Sequence, residues 1–375
     1  MIVTSVTGQM LSRGHEQVVY VADAPSGLRA IIAVHSTALG PSLGGVRFWH
    51  YANEDDALVD VLRLSEAMSL KASISGLDQG GGKAVVLVDA PDAPHTDPML
   101  RALGRAINEL GGRYLAAEDV GATQRDMDVI AQETPWVTGV DPANGGSGDP
   151  SPLTALGVLA GMRAVAQELD GAASVAGWRV AVQGAGHVGA QLVADLIDAG
   201  AQVVLADIDQ DRAAHVAADH GAEVVGPDEI LEVECDVLAP CALGAVLNTD
   251  TIPRLRCRAV CGAANNQLAD EGSDDALLDA GILYAPDFVV NAGGIINIAE
   301  EFVGYSRARA EERVARIEQT TASVLDRAQT ERRAPGRVAT DMARERIERD
   351  GDGRRWHPGD AAAWTNGEPL RSLRP

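Results

Sequence analysis

The sequence predicts an α/β fold with two domains, the first built on a mixed sheet and the second on a parallel sheet. A chain of 375 residues is long enough for two separate cores. Its strongest break is "NGGSGDPSP" at 144–152, where glycines and prolines interrupt the regular pattern. We therefore predict domains at 1–146 and 147–325, helices from about 325 that pack back on the first domain, and a flexible tail at 351–375.

The first domain is predicted to alternate strands and helices. "EQVVYVAD" and "LRAIIAVHS" predict consecutive antiparallel strands. Asn53 predicts the N-cap of a helix with an acidic first turn. "KAVVLVD" and "RYLAAEDV" predict strands on either side of a helix near 98–110. Thr123 and Asp126 predict a capping box that opens the next helix.

The second domain begins with a helix for which Ser151 is the predicted N-cap and Pro152 the first helical residue. Strands and helices then alternate to about residue 290, which is typical of a parallel sheet with helices on both faces. From Ala299 to about Asp350 the sequence is rich in Arg and Glu and predicts helix.

Bulk composition excludes several classes of function. The formal charge of −23 disfavours nucleic acid as a partner, because nucleic-acid affinity depends on basic side chains, and it equally disfavours an anionic membrane. No apolar run reaches the ~18 residues of a membrane span, and the N-terminus lacks the pattern of a signal peptide. The four cysteines (Cys235, Cys241, Cys257 and Cys261) form no metal-binding spacing, so we expect free thiols, no metal site and a cytoplasmic protein.

A dinucleotide-binding fingerprint lies between residues 179 and 207. A strand at 180–182 leads into Gly-x-Gly-x-x-Gly, a helix follows at 190–199, and a second strand ends at Asp207. In this pattern the glycine loop holds a pyrophosphate at a helix N-terminus, and the acid bonds the adenosine ribose. Because a carboxylate repels a 2′-phosphate, we predict NAD rather than NADP. The predicted loop residues are Gly184, Ala185, Gly186, His187, Val188 and Gly189.

A second glycine-rich stretch, "SGLDQGGGKAVVL" at 75–87, places three glycines directly before Lys83. It is not a phosphate-binding P-loop, since Leu77 stands where that motif needs glycine and Ala84 where it needs Ser or Thr. Glycines also serve where a backbone or a ligand must approach closely. We therefore predict that Lys83 lies at the entrance of a strand, beside something that needs room.

Several motifs together resemble the glutamate/leucine/phenylalanine/valine dehydrogenases, with valine and leucine dehydrogenases the most similar. They are "GPSLGGVRF", "MSLKASISGLDQGGGKAVV", "AAEDVGAT", "NGGSGDPSPLTALGV", "CGAANNQL" and "APDFVVNAGG", in that order along the chain. The resemblance runs from about His15 to about residue 330. It implies an N-terminal amino-acid-dehydrogenase domain, a Rossmann NAD-binding domain, an active site in the cleft and a homo-oligomer.

The resemblance also implies roles for individual residues. Lys83 and Asp119 are the implied catalytic pair: Lys83 activates water and Asp119 exchanges protons with the substrate amine. Lys71, the Gly44 backbone and Asn266 hold the substrate carboxylate. The residues implied at the nicotinamide are Ser147, Asp149 and Thr154, with Asn291 nearby, and Asn265 is a further implied cofactor-binding residue. Desolvation and a nearby positive charge, expected from Lys71, would lower the pKa of Lys83 enough for it to act as a base.

The implied reaction is the NAD-dependent, reversible oxidative deamination of an L-amino acid. The implied pocket residues are all aliphatic: Leu43, Ala117, Ile295 and Ile298. A pocket without a cation disfavours glutamate, because a buried carboxylate needs a partner. We expect a branched-chain substrate (valine, leucine or isoleucine). The alternatives are phenylalanine or another hydrophobic amino acid, and, in another class, a catalytically silent NAD-binding sensor or scaffold.

Overall fold

The computed structural model describes residues 5–242, 244–270, 272–351 and 356. They form two compact units. The first unit comprises the described residues of Met1–Gly148, Ile298–Ser306 and Ala343–Pro375, and the second comprises those of Asp149–Asn297 and Arg307–Met342. The chain thus enters the second unit after Gly148, whereas the predicted domain boundary was after residue 146. Its last return to the first unit is at Ala343, whereas the predicted return was at about residue 325. Most of the predicted tail lies outside the described residues.

The first unit is built on a mixed five-stranded sheet in the order β1-β2-β4-β3-β5. β1 pairs antiparallel with β2, and β2 pairs antiparallel with β4, whereas β3 runs parallel to both β4 and β5. Its elements are α1 (Val6–Arg13), β1 (Gln17–Asp23), β2 (Leu28–Ser36), β3 (Ser42–Trp49), α2 (Glu54–Ile74), β4 (Gly80–Leu87), α3 (Asp97–Glu109), β5 (Tyr114–Glu118) and α4 (Gln124–Ile130).

Both faces of this sheet are covered. Ile31 and Val85 pack with Val61 and other apolar residues of α2 on one face. The opposite face packs a larger cluster that includes Leu103 of α3 and Tyr114. The predicted Asn53 cap of α2 and the Thr123–Asp126 capping box of α4 are confirmed.

The second unit contains a six-stranded sheet in the order β11-β10-β9-β6-β7-β8, and all of its strand pairs are parallel. Apolar clusters lie on both faces, as in a doubly wound fold. The elements from its start to the end of the described chain are α5 (Ser151–Asp170), β6 (Arg179–Gln183), α6 (His187–Asp198), β7 (Gln202–Ala206), α7 (Gln210–His220), β8 (Glu223–Val224), β9 (Cys235–Pro240), β10 (Cys257–Val260), α8 (Gly272–Asp279), β11 (Leu283–Tyr284), α9 (Asp287–Val290), α10 (Gly293–Ala299), α11 (Arg307–Glu331) and α12 (Pro335–Asp350).

Two local predictions were wrong. The three glycines before Lys83 belong to β4, so Lys83 is the fourth residue of the strand and does not mark its entrance. Gly80 and Gly81 pair with Ser42 and Leu43 of β3, which extends β4 ahead of Lys83. Ser151 is the first residue of α5 and does not cap it; its backbone N–H donates to the Asp149 carboxylate, and Pro150 is the N-cap.

Within the described residues, no helix has the length and apolar character that a membrane crossing needs. The same residues contain no cluster of three His, Cys, Asp or Glu side chains able to hold a metal ion. All four cysteines are free thiols, with Cys235 and Cys261 buried.

A buried carboxylate joins α8 to the start of α12. Asp274 is 3% exposed, its Oδ2 accepts the backbone N–H of Arg337 at 3.1 Å, and its buried Oδ1 accepts no hydrogen bond from the described residues. Burial raises the pKa of Asp274 to about 6. A carboxyl whose pKa is higher in the fold than in the unfolded chain stabilises the fold most when protonated. This contribution is therefore lost as pH rises through about 6.

We expect Asp274→Asn, which mimics the protonated carboxyl, to raise the free energy of unfolding at about pH 8 by about 1–3 kcal/mol. Near pH 4 the variant and the parent should be equally stable. Urea unfolding across this pH range measures the difference, and Asp279→Asn, exposed on the same helix, is the matched control. A difference that does not change with pH would contradict the assignment.

Candidate active site

The three glycines of β4 let the strand pack directly against its neighbours. A Cβ on Gly81 would lie 2.0 Å from the backbone nitrogen of Ser69 in α2, and one on Gly80 would lie 1.7 Å from the Ser36 carbonyl oxygen. A Cβ on Gly82 would lie 2.7 Å from the ring of Tyr114. The room that was predicted beside these glycines is therefore filled by the protein's own atoms, from α2, β2 and Tyr114.

The strand register gathers predicted site residues on one face of the first sheet. Leu43 pairs with Gly81 and with Leu115, and side chains alternate along each strand. Leu43, Lys83 and Ala117 therefore share the face covered by α2. All three are buried: Leu43 is 0%, Ala117 3% and Lys83 4% exposed.

Asp119, the first residue after β5, meets Lys83 on this face. The Lys83 Nζ lies 3.0 Å from Asp119 Oδ2, and the Lys83 side chain is 5% exposed. Burial lowers the pKa of the Lys83 amine below its ordinary value; the Asp119 carboxylate opposes this, and the positive charge of Arg47 adds to it. Burial alone would raise the pKa of Asp119, but Lys83 and Arg47 together hold it below its ordinary value. The pair is thus a buried amine next to an ionised carboxylate.

Arg47 of β3 is a site residue that the sequence analysis missed. Its Nε donates to Asp119 Oδ2 at 2.8 Å, and its NH1 donates to Asp60 Oδ2 of α2 at 3.0 Å. The signal was present in "GPSLGGVRF", because side chains alternate along a strand and place Arg47 on the same face as Leu43.

Lysine content is a second missed signal. Lys71 and Lys83 are the only lysines of the sequence, and the other 29 of its 31 basic residues are arginines. Lys71 lies half-buried near the end of α2, and its carbonyl oxygen accepts the Ser75 hydroxyl at 2.6 Å. Burial easily shifts the pKa of an amine, whereas a guanidinium stays charged. Lysine therefore occurs only at the two positions for which a site role was predicted.

Gly44 lies in β3, and its carbonyl oxygen accepts the Tyr114 hydroxyl at 2.8 Å. A Cβ on the neighbouring Gly45 would lie 2.5 Å from the Asp119 Cβ. This strand therefore needs glycine so that the backbone can pass close to the acid.

The glycine loop of the second unit has the geometry of an anion site. Gly186 is the N-cap of α6 and makes no side-chain cap, and a Cβ on it would have no atom within 4 Å. Gly189 must be glycine, because its Cβ would lie 2.0 Å from the Gly184 carbonyl oxygen. Exposed N–H groups at a helix N-terminus favour a phosphate. The remaining predicted loop residues lie here too: Ala185 is buried, Val188 half-buried and His187 exposed.

Asp207 directly follows β7, as predicted. Its Oδ2 accepts the Ala185 N–H at 2.6 Å, and its Oδ1 accepts the Asp209 N–H at 2.8 Å. The carboxylate therefore braces the glycine loop at the carboxyl edge of the sheet.

Two of the three predicted asparagines of this unit, Asn265 and Asn291, lie next to each other. Asn291 is 3% exposed and donates from Nδ2 to Asn265 Oδ1 at 2.9 Å. Its buried Oδ1 accepts no hydrogen bond within the described part of the chain. Asn266 is exposed, with a positive φ of 53°.

The other residues predicted at the nicotinamide make hydrogen bonds with a nearby backbone group or with a carboxylate. Ser147, in the first unit, donates its hydroxyl to Glu301 at 2.7 Å. In the second unit, the Thr154 hydroxyl donates to the Pro150 carbonyl at 3.0 Å. Asp149 accepts the Ser151 N–H at 2.9 Å.

Ile295 and Ile298 are three residues apart on α10 and so lie on one side of that helix. Ile295 is 5% exposed and Ile298 is half-buried.

A parallel, doubly wound unit with a glycine loop, joined to a mixed-sheet unit that holds a buried lysine–carboxylate pair, is the architecture of a two-domain dinucleotide-dependent dehydrogenase. Comparison with known proteins identifies the family of dehydrogenases. The family model described as "Glu/Leu/Phe/Val dehydrogenase, dimerisation domain" matches residues 15–136, and that described as "Glutamate/Leucine/Phenylalanine/Valine dehydrogenase" matches 145–224 and 205–349. The chain belongs to this family of amino acid dehydrogenases, as predicted.

Individual relatives extend over most of the chain. It is 50% identical over 335 residues to a leucine dehydrogenase of Thermoactinomyces intermedius, covering 89% of this chain and 91% of that enzyme. It is 47% identical over 337 residues to a valine dehydrogenase of Streptomyces virginiae, covering 89% and 94%. The crystal structure of L-tryptophan dehydrogenase from Nostoc punctiforme superposes with a TM-score of 0.83 at 38% identity, covering 92% and 99%.

We expect Gly81→Ala to lower the free energy of unfolding by at least about 2 kcal/mol, because its methyl group would overlap the α2 backbone. Gly186→Ala, which adds the same methyl group in open space, should cost less than about 1 kcal/mol. Urea midpoints followed by circular dichroism measure both. Equal midpoints for the parent and Gly81→Ala would contradict the packing role of this glycine.

Proposed function

We propose that this protein catalyses the NAD-dependent, reversible oxidative deamination of a branched-chain aliphatic L-amino acid (valine, leucine or isoleucine) to its 2-oxo acid and ammonia. The observation that carries the proposal is the buried contact of Lys83 with Asp119 on the face that also presents Leu43 and Ala117. Relatives named leucine and valine dehydrogenase support the same reaction.

Lys83 is the proposed base. Bound NAD⁺ would supply a hydride acceptor, so that the Cα of the amino acid could be oxidised to an iminium carbon. Water must then add to Cα, and a neutral amine within reach can take its proton. The low exposure of Lys83 supports this role, because a dry environment lowers the pKa of the amine and so favours its uncharged form.

Asp119 is the proposed partner of the substrate nitrogen. Its Oδ2 faces Lys83 and Arg47, and its Oδ1 accepts no hydrogen bond among the described residues. An ionised oxygen there can hold the ammonium of the amino acid and return a proton to the departing ammonia. Lys71 and the Gly44 backbone remain the proposed partners of the substrate carboxylate.

The residues of the second unit fit a dinucleotide. The open Gly186 and the uncapped N-terminus of α6 suit a pyrophosphate, and Asp207 suits the ribose hydroxyls. The orphaned Oδ1 of Asn291 is available to a carboxamide N–H. The charge of Asp207 favours NAD over NADP, because a 2′-phosphate would be repelled.

The substrate class follows from Leu43. A lysine here would pair a distal carboxylate, but a leucine that is 0% exposed leaves such a charge without a partner. Leu43 and Ala117 instead present aliphatic surface beside Lys83. Larger hydrophobic amino acids are the second candidate, which the 38% identity to a tryptophan dehydrogenase favours.

The test is NADH formation with a panel of L-amino acids. We expect kcat/KM to be highest for valine, leucine or isoleucine, lower for phenylalanine and tryptophan, and lowest for glutamate. Lys83→Ala and Lys83→Arg should lower turnover by about 100-fold to 10,000-fold, while NADH binding persists. Absence of NADH formation with every amino acid, despite NADH binding, would identify a silent binder and overturn the proposal.

Cofactor preference is tested at Asp207. We expect Asp207→Asn to weaken NADH binding by about 10- to 100-fold, because a charged hydrogen-bond acceptor is lost, and to raise relative activity with NADP. Asp211→Asn, which removes a nearby exposed charge, should leave both coenzyme affinities unchanged. Fluorescence titration with each reduced coenzyme gives the two dissociation constants. An unchanged NADH affinity in Asp207→Asn would refute this role.

We propose in addition that the protein acts as a homo-oligomer. The match of residues 15–136 to a domain described as a dimerisation domain supports association. Light scattering at several protein concentrations measures the subunit number.

A further inference from the structure

We propose that Arg47 is a positioning residue of the reaction: it clamps Asp119 through Oδ2 and so turns Oδ1 toward the substrate amine. This inference rests on the proposed function. It adds a residue that neither the sequence motifs nor the expected catalytic pair assigned.

The geometry of Asp119 carries the inference. Arg47 Nε and Lys83 Nζ both approach Oδ2, at 2.8 and 3.0 Å. A carboxylate held at one oxygen by two donors cannot rotate freely. Its other oxygen therefore keeps one direction, which is what recognition of an ammonium group requires.

Arg47 is itself fixed from the other side. Its NH1 donates to Asp60 Oδ2, which also accepts the Tyr51 hydroxyl at 2.7 Å. Asp60 Oδ1 accepts Arg63 at 2.9 Å. Arg47 and Asp60 are only 20% and 18% exposed, so water competes little for these bonds. The chain of contacts from helix α2 thus runs through Arg47 to the catalytic carboxylate.

The chemistry of the side chain supports this role. A guanidinium presents donors in a rigid plane, so Nε and NH1 can serve two carboxylates at once. A lysine would supply the charge but only one donor centre. Arg47 therefore supplies orientation as well as charge.

The charges of Arg47 and Asp60 also shift the pKa of Lys83, in opposite directions. The positive charge of Arg47 lowers the pKa of Lys83, whereas the negative charges of Asp119 and Asp60 raise it. The charged and titratable groups on the elements that pack around Lys83 lie on four elements and their flanking residues. They are Arg29 and His35 on β2, Arg47 on β3, His50 and Tyr51 after it, Glu54, Asp55, Asp56, Asp60, Arg63, Glu66 and Lys71 on α2, and Tyr114, Glu118 and Asp119 on and after β5.

Because Arg47 and Asp60 shift the pKa of Lys83 in opposite directions, their variants should shift the pH profile in opposite directions. A purely structural role for Arg47 would not produce such shifts. Deamination needs neutral Lys83, so the acid limb of the kcat/KM profile against pH follows its pKa. We expect Arg47→Gln to lower kcat/KM by about 100-fold and to move the acid limb to higher pH. Asp60→Asn, which leaves Arg47 in the chain, should move the acid limb to lower pH. Arg47→Lys keeps the charge, so it should keep the parent's acid limb and recover part of the rate.

Arg105→Gln is the matched control, since it removes an exposed arginine of α3, a helix that covers the opposite face of the sheet. It should change kcat/KM by less than about threefold. NADH affinity and circular dichroism report that each variant is folded. Unshifted acid limbs in Arg47→Gln and Asp60→Asn, or shifts of the same sign, would overturn the proposal.

A readout without turnover separates this inference from the proposed function. Lys71 and Lys83 are the only lysines, so trace labelling with acetic anhydride, followed by mass spectrometry, reports the protonation of Lys83 against pH. We expect its titration to move up in Arg47→Gln and down in Asp60→Asn. If the parent deaminates no amino acid but these shifts occur, the proposed function fails and the charge coupling stands; if the parent is active and no shift occurs, the inference fails alone.

Discussion

The structure of the first unit depends on the burial of one ammonium group. Lys83 is 4% exposed, and a buried charge is stable only when a partner compensates for the lost hydration. Asp119 supplies that partner at 3.0 Å. Gly81 has no Cβ, so β4 lies directly against the backbone of α2 on the face that buries Lys83. Burial lowers the pKa of Lys83, and the negative charge of Asp119 raises it. The balance of these two effects sets the proton affinity of the amine.

The choice of basic residue reflects this balance. With 29 arginines and two lysines, nearly all the positively charged side chains of this sequence are guanidinium groups. The guanidinium of Arg47 stays charged although its side chain is largely buried. It can therefore hold the Asp119 carboxylate in one orientation. In the proposed reaction, an amine is needed only where a proton must be taken up and released. Lys83 and Arg47 thus contact the same carboxylate oxygen with different consequences: one group titrates and the other does not.

Much of the fold and part of the site could be predicted, because regular patterns record local constraints. Asp207 follows from the spacing of strand, glycines and strand, and the mixed sheet follows from the order of the elements. Arg47 was missed because a charged residue near a strand end usually faces solvent, and alternation along the strand gives its face but not its contact with Asp119. The packing role of Gly81 depends on the distance between β4 and α2, which no sequence pattern records.

Substrate choice can change in such a scaffold without disturbing its proton chemistry. The polar contacts of Lys83 run toward Asp119 and Arg47, whereas the Leu43 and Ala117 side chains on the same face contribute only apolar surface. Exchange of one aliphatic side chain for another alters pocket volume by a methylene or two, worth ~1–3 kcal/mol in discrimination. It leaves the charges around the amine in place. Closely related chains can therefore differ in the amino acid they prefer while they keep the proposed pair of Lys83 and Asp119.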